Sequence, residues 1–141
     1  MALVPIYRKE IEITSEYLDE MNHVNNVWHV QWMQDVAIQH STINGWGTQR
    51  YLDLGAAWFV RRHTVNYLLP ILKGDTVVVE TWVSEMKHVS SVRRYRFFRK
   101  SDGAMLAEAE TKWGLVNLAT GRPAKAPAEL LDCFVQLQKA G

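Results

Sequence analysis

Apolar and polar positions recur at two different periods along this chain, and the switch between them lays out its elements. Residues 6–14 (IYRKEIEIT) alternate, with Tyr7, Ile11 and Ile13 on one side, which is the period of a half-buried strand. Residues 26–44 hold neither Gly nor Pro and stop at Gly45, so a helix is expected there. Val27, Val30, Met33 and Ala37 form one apolar stripe on it, and Trp28, Trp32, Val36 and Ile43 form a second. A helix apolar on two sides is expected to be enclosed by other elements. Downstream the period drops to two. WFVRRHTVNYL (58–68) is β-branched and aromatic, and Pro70 and Gly74-Asp75 then mark a turn. TVVVETWV (76–83) puts Val77, Val79 and Val83 on one face. SVRRYRFFRK (91–100) turns at Asp102-Gly103 into AMLAEAETKWGLV (104–116). There Met105, Ala107, Ala109, Trp113 and Leu115 face one way and Glu108, Glu110 and Lys112 the other. Short turns make these strands an antiparallel meander. A turn at Thr120-Gly121 precedes Pro127, which opens a short helix carrying Leu130, Leu131, Phe134 and Leu137 on one side. No repeat, linker or low-complexity tract interrupts this order. The expectation is a single α+β domain over residues 1–141, one antiparallel sheet with one enclosed helix.

Composition narrows the function classes. A chain of 141 residues, 48% hydrophobic and 22% charged, has the size and make-up to bury its own core. Sixteen basic against 15 acidic residues leave a net charge of +1, so no overall field favours nucleic acid, and self-association stays open. One cysteine, Cys133, excludes an intramolecular disulfide and fits a reducing compartment. No apolar run approaches the roughly 20 residues that cross a bilayer, and MALVPIYRKE lacks the layout of a secretory signal. A cytoplasmic protein with neither a membrane nor a nucleic acid as partner is therefore expected. The cluster Arg93, Arg94, Arg96, Arg99 and Lys100, interleaved with Tyr95, Phe97 and Phe98, is compatible with RNA. The neutral chain and the absence of an RNP-type pattern favour a solvated strand face or a patch for a phosphate-bearing ligand.

The chemistry concentrates in Leu18-Asp-Glu-Met-Asn-His-Val-Asn-Asn26, just before the predicted helix. Asp19, Glu20, His23, Asn25 and Asn26 meet where the N–H groups of a helix start are free to bind an anion. The same stretch also reads as a loop with an Asn cap. The five histidines form no metal site: His23 and His29 are six apart, no H-E-x-x-H occurs, and the lone cysteine lies in the last helix. No G-x-S-x-G elbow supports a serine nucleophile. Gly45-Trp46-Gly47 lacks the third glycine and the following helix of a phosphate loop. Trp28 and Trp32 share a helix face one turn after the polar loop, where they suit a pocket floor; Trp28, Trp32 and Trp58 equally suit a core.

At these residues the chain resembles the hot-dog-fold acyl thioesterases of the D-x-x-G-H-V-N-N branch. Here the signature reads D-E-M-N-H-V-N-N, from Asp19 to Asn26. The resemblance continues through Y-x-x-P-x-x-x-G-D (Tyr67, Pro70, Gly74, Asp75), S-S-V-R (Ser90 to Arg93) and T-G-R-P (Thr120 to Pro123). It is nearest to the 4-hydroxybenzoyl-CoA thioesterase-like group, whose signature is also similar to that of plant acyl-carrier-protein thioesterases. The chain departs from the pattern at Asn22, where Gly is usual, at His29, where Tyr is usual, and at Met21, where the plant enzymes have Asn.

The resemblance implies a curved antiparallel sheet of five to six strands wrapped around one long central helix, with a short C-terminal helix. It implies hydrolysis of an acyl-CoA or acyl-carrier-protein thioester with no separate cofactor, coenzyme A being part of the substrate. It further implies a homodimer or a dimer of dimers, with sites formed between subunits. Asp19 would be general base or nucleophile, His23 or Asn26 would orient the water or the carboxylate, and N–H groups near Asn25 and Asn26 would form the oxyanion hole. Asp35 is the alternative carboxylate. Trp28, Trp32, Trp58 and Phe59 would wall the acyl group, and Ser90, Ser91, Arg93 and Arg94, with Arg61 and Arg62 as weaker contributors, would hold the CoA arm. Two other readings stand beside this one: a non-catalytic acyl-thioester-binding protein, and a hot-dog dehydratase or hydratase. For the latter, His23 lacks the neighbouring proline.

Overall fold

Short connections between alternating segments force neighbouring strands to run antiparallel. In the computed structural model, which describes residues 2–140, five strands do so. They are β1 (Tyr7–Glu12), β2 (Ala56–Tyr67), β3 (Thr76–Met86), β4 (Ser90–Arg99) and β5 (Met105–Asn117), in the order β1-β3-β4-β5-β2. The count is five rather than six. Three α-helices, α1 (Val27–Ile43), α2 (Thr48–Leu54) and α3 (Ala128–Ala140), and a 3-10 turn at Ser15–Tyr17 complete the described residues. The sheet is curved, and no helix among the described residues is long and apolar enough to cross a membrane.

One face of the sheet carries the core. Val77 and Val79 of β3, Tyr95 and Phe97 of β4 and Ala107 and Ala109 of β5 pack against Trp32, Met33 and Val36 of α1. Farther along the same strands, Val83, Met86 and Leu115 pack with Leu130, Phe134 and Leu137 of α3 and with Trp46 and Tyr51. The opposite face is charged and internally paired: Arg94 meets Glu110 at 3.0 Å, Arg8 meets Glu80, and the Arg96 guanidinium lies over the Trp82 ring. The predicted basic cluster thus divides by strand alternation. Arg94 and Arg96 are solvated, Arg99 pairs with Asp75 and Asp102, and Lys100 pairs with Glu10.

Three expectations need correction. The 58–68 segment does not join the meander beside β3: as β2 it pairs with β5, on the far edge of the sheet. α1 buries one stripe rather than two: His29, Trp32, Met33, Val36, Ala37 and His40. Val27 and Ile43, which the two-stripe pattern counted as core, are 70% and 39% exposed, because one sheet meets only one side of a helix. A helix also follows Gly47 after all. Gly47 is the extended residue that opens α2, and Gly55, at φ 79°, is the left-handed stop that ends it. The seven-residue α2 packs Tyr51 under the sheet.

Candidate active site

The polar loop before α1 is closed by its own carboxylate. Asp19 Oδ1 accepts the backbone N–H groups of Met21 (2.9 Å) and His23 (3.1 Å), and the Asp19 N–H donates to the His23 carbonyl (2.8 Å). This leaves Oδ2 without a protein partner among the described residues. Asn22 is the one non-glycine residue there with positive φ, at 58°. That conformation explains the departure from Gly: Asn tolerates the left-handed region better than other side chains do. A Leu18–Val24 bridge and a bond from the Asn25 N–H to the Tyr17 carbonyl (2.9 Å) tie this loop to the start of α1.

The helix start supplies fewer free donors than a bare terminus would. The Val27 N–H goes to Asn25 Oδ1 (3.0 Å), the Trp28 N–H to the Asn25 carbonyl (3.0 Å) and the His29 N–H to the Asn26 carbonyl (3.2 Å). The N–H of Asn26 makes no hydrogen bond among the described residues. Of the N–H groups near Asn25 and Asn26, that of Asn26 is thus the one left unpaired among the described residues, with Asn25 in the turn that supports it. His23 is exposed and reaches the rest of the fold through a backbone bridge to Leu72. Asp35 stands nine residues past Asn26, about 13 Å along the helix, and accepts from Gln31 Nε2 at 3.0 Å.

Trp28 and Trp32 line neither the cavity nor the groove described below. They stack at 6.5 Å and receive the Tyr17 ring edge-on from one side, so they belong to the core. His29 occupies the position where the related pattern has Tyr. It is buried against Tyr67, Phe97 and Trp32, and its Nδ1 lacks a well-aligned partner. Burial lowers its pKa to about 4, with the Asn26 carbonyl offsetting a part, so the ring is neutral at pH 7.

A cavity of about 210 Å³ opens between the second half of α1, α2, α3 and the sheet. Ala37, eleven residues and about 16 Å past Asn26 along the helix, marks its near end. Trp46, Trp58, Trp113 and Phe134 supply much of its wall, and Ser91 and Arg93 are polar residues within it. Two of its hydroxyls, those of Tyr51 and Ser41, are committed to each other. Trp58 Nε1 donates to Tyr51 Oη (3.0 Å), and Ser41 Oγ donates to the Trp46 carbonyl (2.7 Å), so Tyr51 Oη–H, 3.3 Å from Ser41 Oγ, must donate to it.

Arg93 is different. It is 4% exposed, and Nη1 donates to Thr81 Oγ1 (3.1 Å) and to His40 Nδ1 (2.8 Å). An arginine can only donate, so His40 Nδ1 must be the acceptor and its Nε2 must carry the hydrogen that reaches the Val4 carbonyl. Burial first, and Arg93 second, lower the His40 pKa to about 4. The imidazole is neutral at pH 7 and compensates none of the guanidinium charge. No carboxylate pairs with Arg93 among the described residues. Desolvating such an ion costs on the order of several kcal/mol.

Strand alternation also divides the residues expected to bind substrate. Trp58, Ser91 and Arg93 line this cavity, whereas Phe59, next to Trp58, is half-exposed and points elsewhere. Arg94 is on the solvated face, and Arg93 is too deep for an exposed phosphate clamp. Ser90 instead lines a second, broader groove with Arg61, Arg62 and Lys112. Gly114 makes room there: a Cβ at that position would stand 2.5 Å from Arg61 Nε. His40, Tyr51 and the inward turn of Arg93 went unread in the sequence. Arg93 is in phase with Tyr95 and Phe97, and His40 lies four and seven residues past Val36 and Met33, so the signal was present in the two periods.

A family model described as the thioesterase-like superfamily matches residues 13–134. No curated protein matches the chain significantly. Among solved structures, a DHNA-CoA thioesterase from Staphylococcus aureus is 20% identical with a TM-score of 0.86, over 95% of this chain and 91% of its own. A hypothetical protein from the same organism, solved in complex with CoA, is 17% identical with a TM-score of 0.89, over 99% and 87%. A 12:0-ACP thioesterase from Umbellularia californica is 22% identical with a TM-score of 0.85; the match covers 94% of this chain and 50% of that one.

Proposed function

From a chain that belongs to the thioesterase-like superfamily and has the hot-dog fold, we propose hydrolysis of an acyl-CoA or acyl-carrier-protein thioester with Asp19 as general base. The observation that carries this reading is the division of labour within one carboxylate. Oδ1 is held by two backbone N–H groups while Oδ2 is free, on a loop tied to a helix start with one unused N–H, that of Asn26. Oδ2 takes a proton from water as the water oxygen bonds to the thioester carbon. The displaced carbonyl electron pair becomes an oxyanion, which Asn26 N–H and the positive end of the helix dipole stabilise. Collapse restores the carbonyl and breaks C–S, and the departing sulfur receives the proton from Asp19. His23, exposed beside this loop, orients the water.

Two copies make the site. β2 is an edge strand with an unpaired side, and Phe59, Val60 and Tyr67 on it are 50%, 36% and 46% exposed. Such an edge is a template for pairing. A second copy paired antiparallel along β2 sets the two α1 helices antiparallel. The helix start of one copy then faces the cavity end of the other, spanning the distance that separates Asp19 from the cavity within a single chain. Arg61, Arg62 and Lys112 in the groove receive the phosphates of the CoA arm.

The test is release of free thiol from a panel of acyl-CoA and acyl-carrier-protein thioesters. Turnover that falls at least 100-fold in Asp19→Asn supports the reading. Undiminished turnover in the variant moves the base elsewhere. A wild-type protein that binds these esters without releasing thiol is an acyl-thioester binder.

A further inference from the structure

The cavity beneath the sheet has a polar side chain whose chemistry its walls leave unused. Arg93 is buried and without an anionic partner, and its Nε and Nη2 make no hydrogen bond among the described residues, both known bonds leaving from Nη1. Ser91, two residues earlier on the same side of β4, is 4% exposed, and its hydroxyl is likewise unbonded there. The other buried hydroxyls of the wall, those of Tyr51 and Ser41, are consumed in the chain that ends on the Trp46 carbonyl. No Asp or Glu lines the cavity. A buried cation with a free donor edge and a free hydroxyl, both in the wall of an otherwise largely apolar and aromatic cavity, match a ligand that is apolar along its length and carries an anionic group. A planar guanidinium fork presents two parallel N–H groups to a carboxylate.

We propose that this cavity selects acyl groups that end in a second carboxylate, the half-thioesters of dicarboxylic acids, with Arg93 as the specificity-determining residue. This rests on the thioesterase reading above and names its substrate class. The size of the cavity bounds the chain. At about 30 Å³ for each small group, 210 Å³ holds about seven, three of them the terminal carboxylate. The remaining four are methylenes, so diacid acyl groups of about six carbons fit. A neutral chain of equal length would leave the guanidinium desolvated and unpaired, so the cavity discriminates by what it leaves unsatisfied.

The experiment compares matched pairs: hexanoyl-CoA with the mono-CoA ester of hexanedioic acid, and octanoyl-CoA with that of octanedioic acid. Initial rates of thiol release are measured on wild type, Arg93→Met and Arg93→Lys. The readout is the ratio of kcat/KM within each pair, which partial loss of folded protein does not alter. Wild type should favour the carboxylated ester at least tenfold. Arg93→Met should bring the ratio to one or below, and Arg93→Lys should retain part of the preference. A wild-type ratio at or below one, or a preference that survives Arg93→Met, overturns the proposal.

Should wild type turn over none of these CoA esters and none of the carrier-protein thioesters, the thioesterase reading fails, and calorimetry with free hexanedioate and hexanoate decides this inference separately. Tighter binding of the dianion that disappears in Arg93→Met supports it. Equal binding of both acids, or none, overturns it.

Discussion

Asp19 has a structural duty and, in the proposed reaction, a chemical one, and two substitutions separate them. Asn at position 19 keeps a carbonyl oxygen to accept from Met21 and His23, but its amide takes no proton from water. Asp19→Asn should therefore lose at least 100-fold in turnover while its melting temperature stays within about 2 °C. Asp19→Ala should lose both, because two N–H groups of the loop go unpaired; differential scanning fluorimetry alongside the thiol assay reads the two effects. Asn22 obeys a backbone constraint three residues later. At φ 58° a β-branched side chain pays the left-handed penalty, so Asn22→Val should destabilise by about 1–2 kcal/mol in urea unfolding, and Asn22→Gly should be near neutral. These outcomes locate the loop's sensitivity in its geometry rather than in the identity of the residue before His23.

The elements were legible where one period dominates. The alternation of residues 104–116 placed Ala107, Ala109 and Leu115 inward and Glu108 and Lys112 outward, and β5 has that arrangement. The break before Gly45 marked the end of α1 within two residues. Burial on α1 was less legible, because apolar content alone does not say which side meets a sheet: Val27 is exposed while two histidines lie in the core stripe. At the candidate site, Asp19 and Asn26 stood out because polar types cluster there. Arg93 was read as a phosphate-binding strand residue for the CoA arm; its depth was missed because its residue type outweighed its phase with Tyr95 and Phe97. The edge element β2 makes its own prediction. Gly114→Ala puts a methyl group where Arg61 now lies, and Arg61 is flexible enough to swing away at little cost to stability. Unfolding should change by less than about 0.5 kcal/mol. KM for a CoA ester should rise several-fold with kcat unchanged, since the lost contact is to the CoA arm rather than to the reacting carbon.

Across the whole molecule, two neutral histidines buried under one sheet couple folding to pH. His29 and His40 both have pKa values near 4 in the fold, against 6.5 for a free side chain, mainly because burial penalises the charged ring. Between these values the unfolded chain binds protons that the folded chain refuses, so stability rises with pH over that window. The contribution is complete above about pH 6.5, is lost as pH falls toward 4, and changes no further below it. Each histidine accounts for about 3 kcal/mol, and the pair for an amount comparable with the stability of an ordinary domain. Urea unfolding should therefore show a midpoint that is flat from pH 7 to 8 and falls steeply between pH 6 and 4.5. His29→Phe tests the assignment, because Phe keeps the packing against Tyr67 and Trp32 and removes both the titration and the unpartnered Nδ1. That variant should match or exceed wild type at pH 7.5 and lose about half of the pH slope. An unchanged slope would remove His29 from the acid sensitivity and leave it to His40, where protonation sets a second cation 2.8 Å from Arg93, and to His63, whose pKa burial also lowers. A slope absent from wild type itself would mean that neither ring is held neutral, and the tautomer assigned to the Arg93–His40 contact would fall with it.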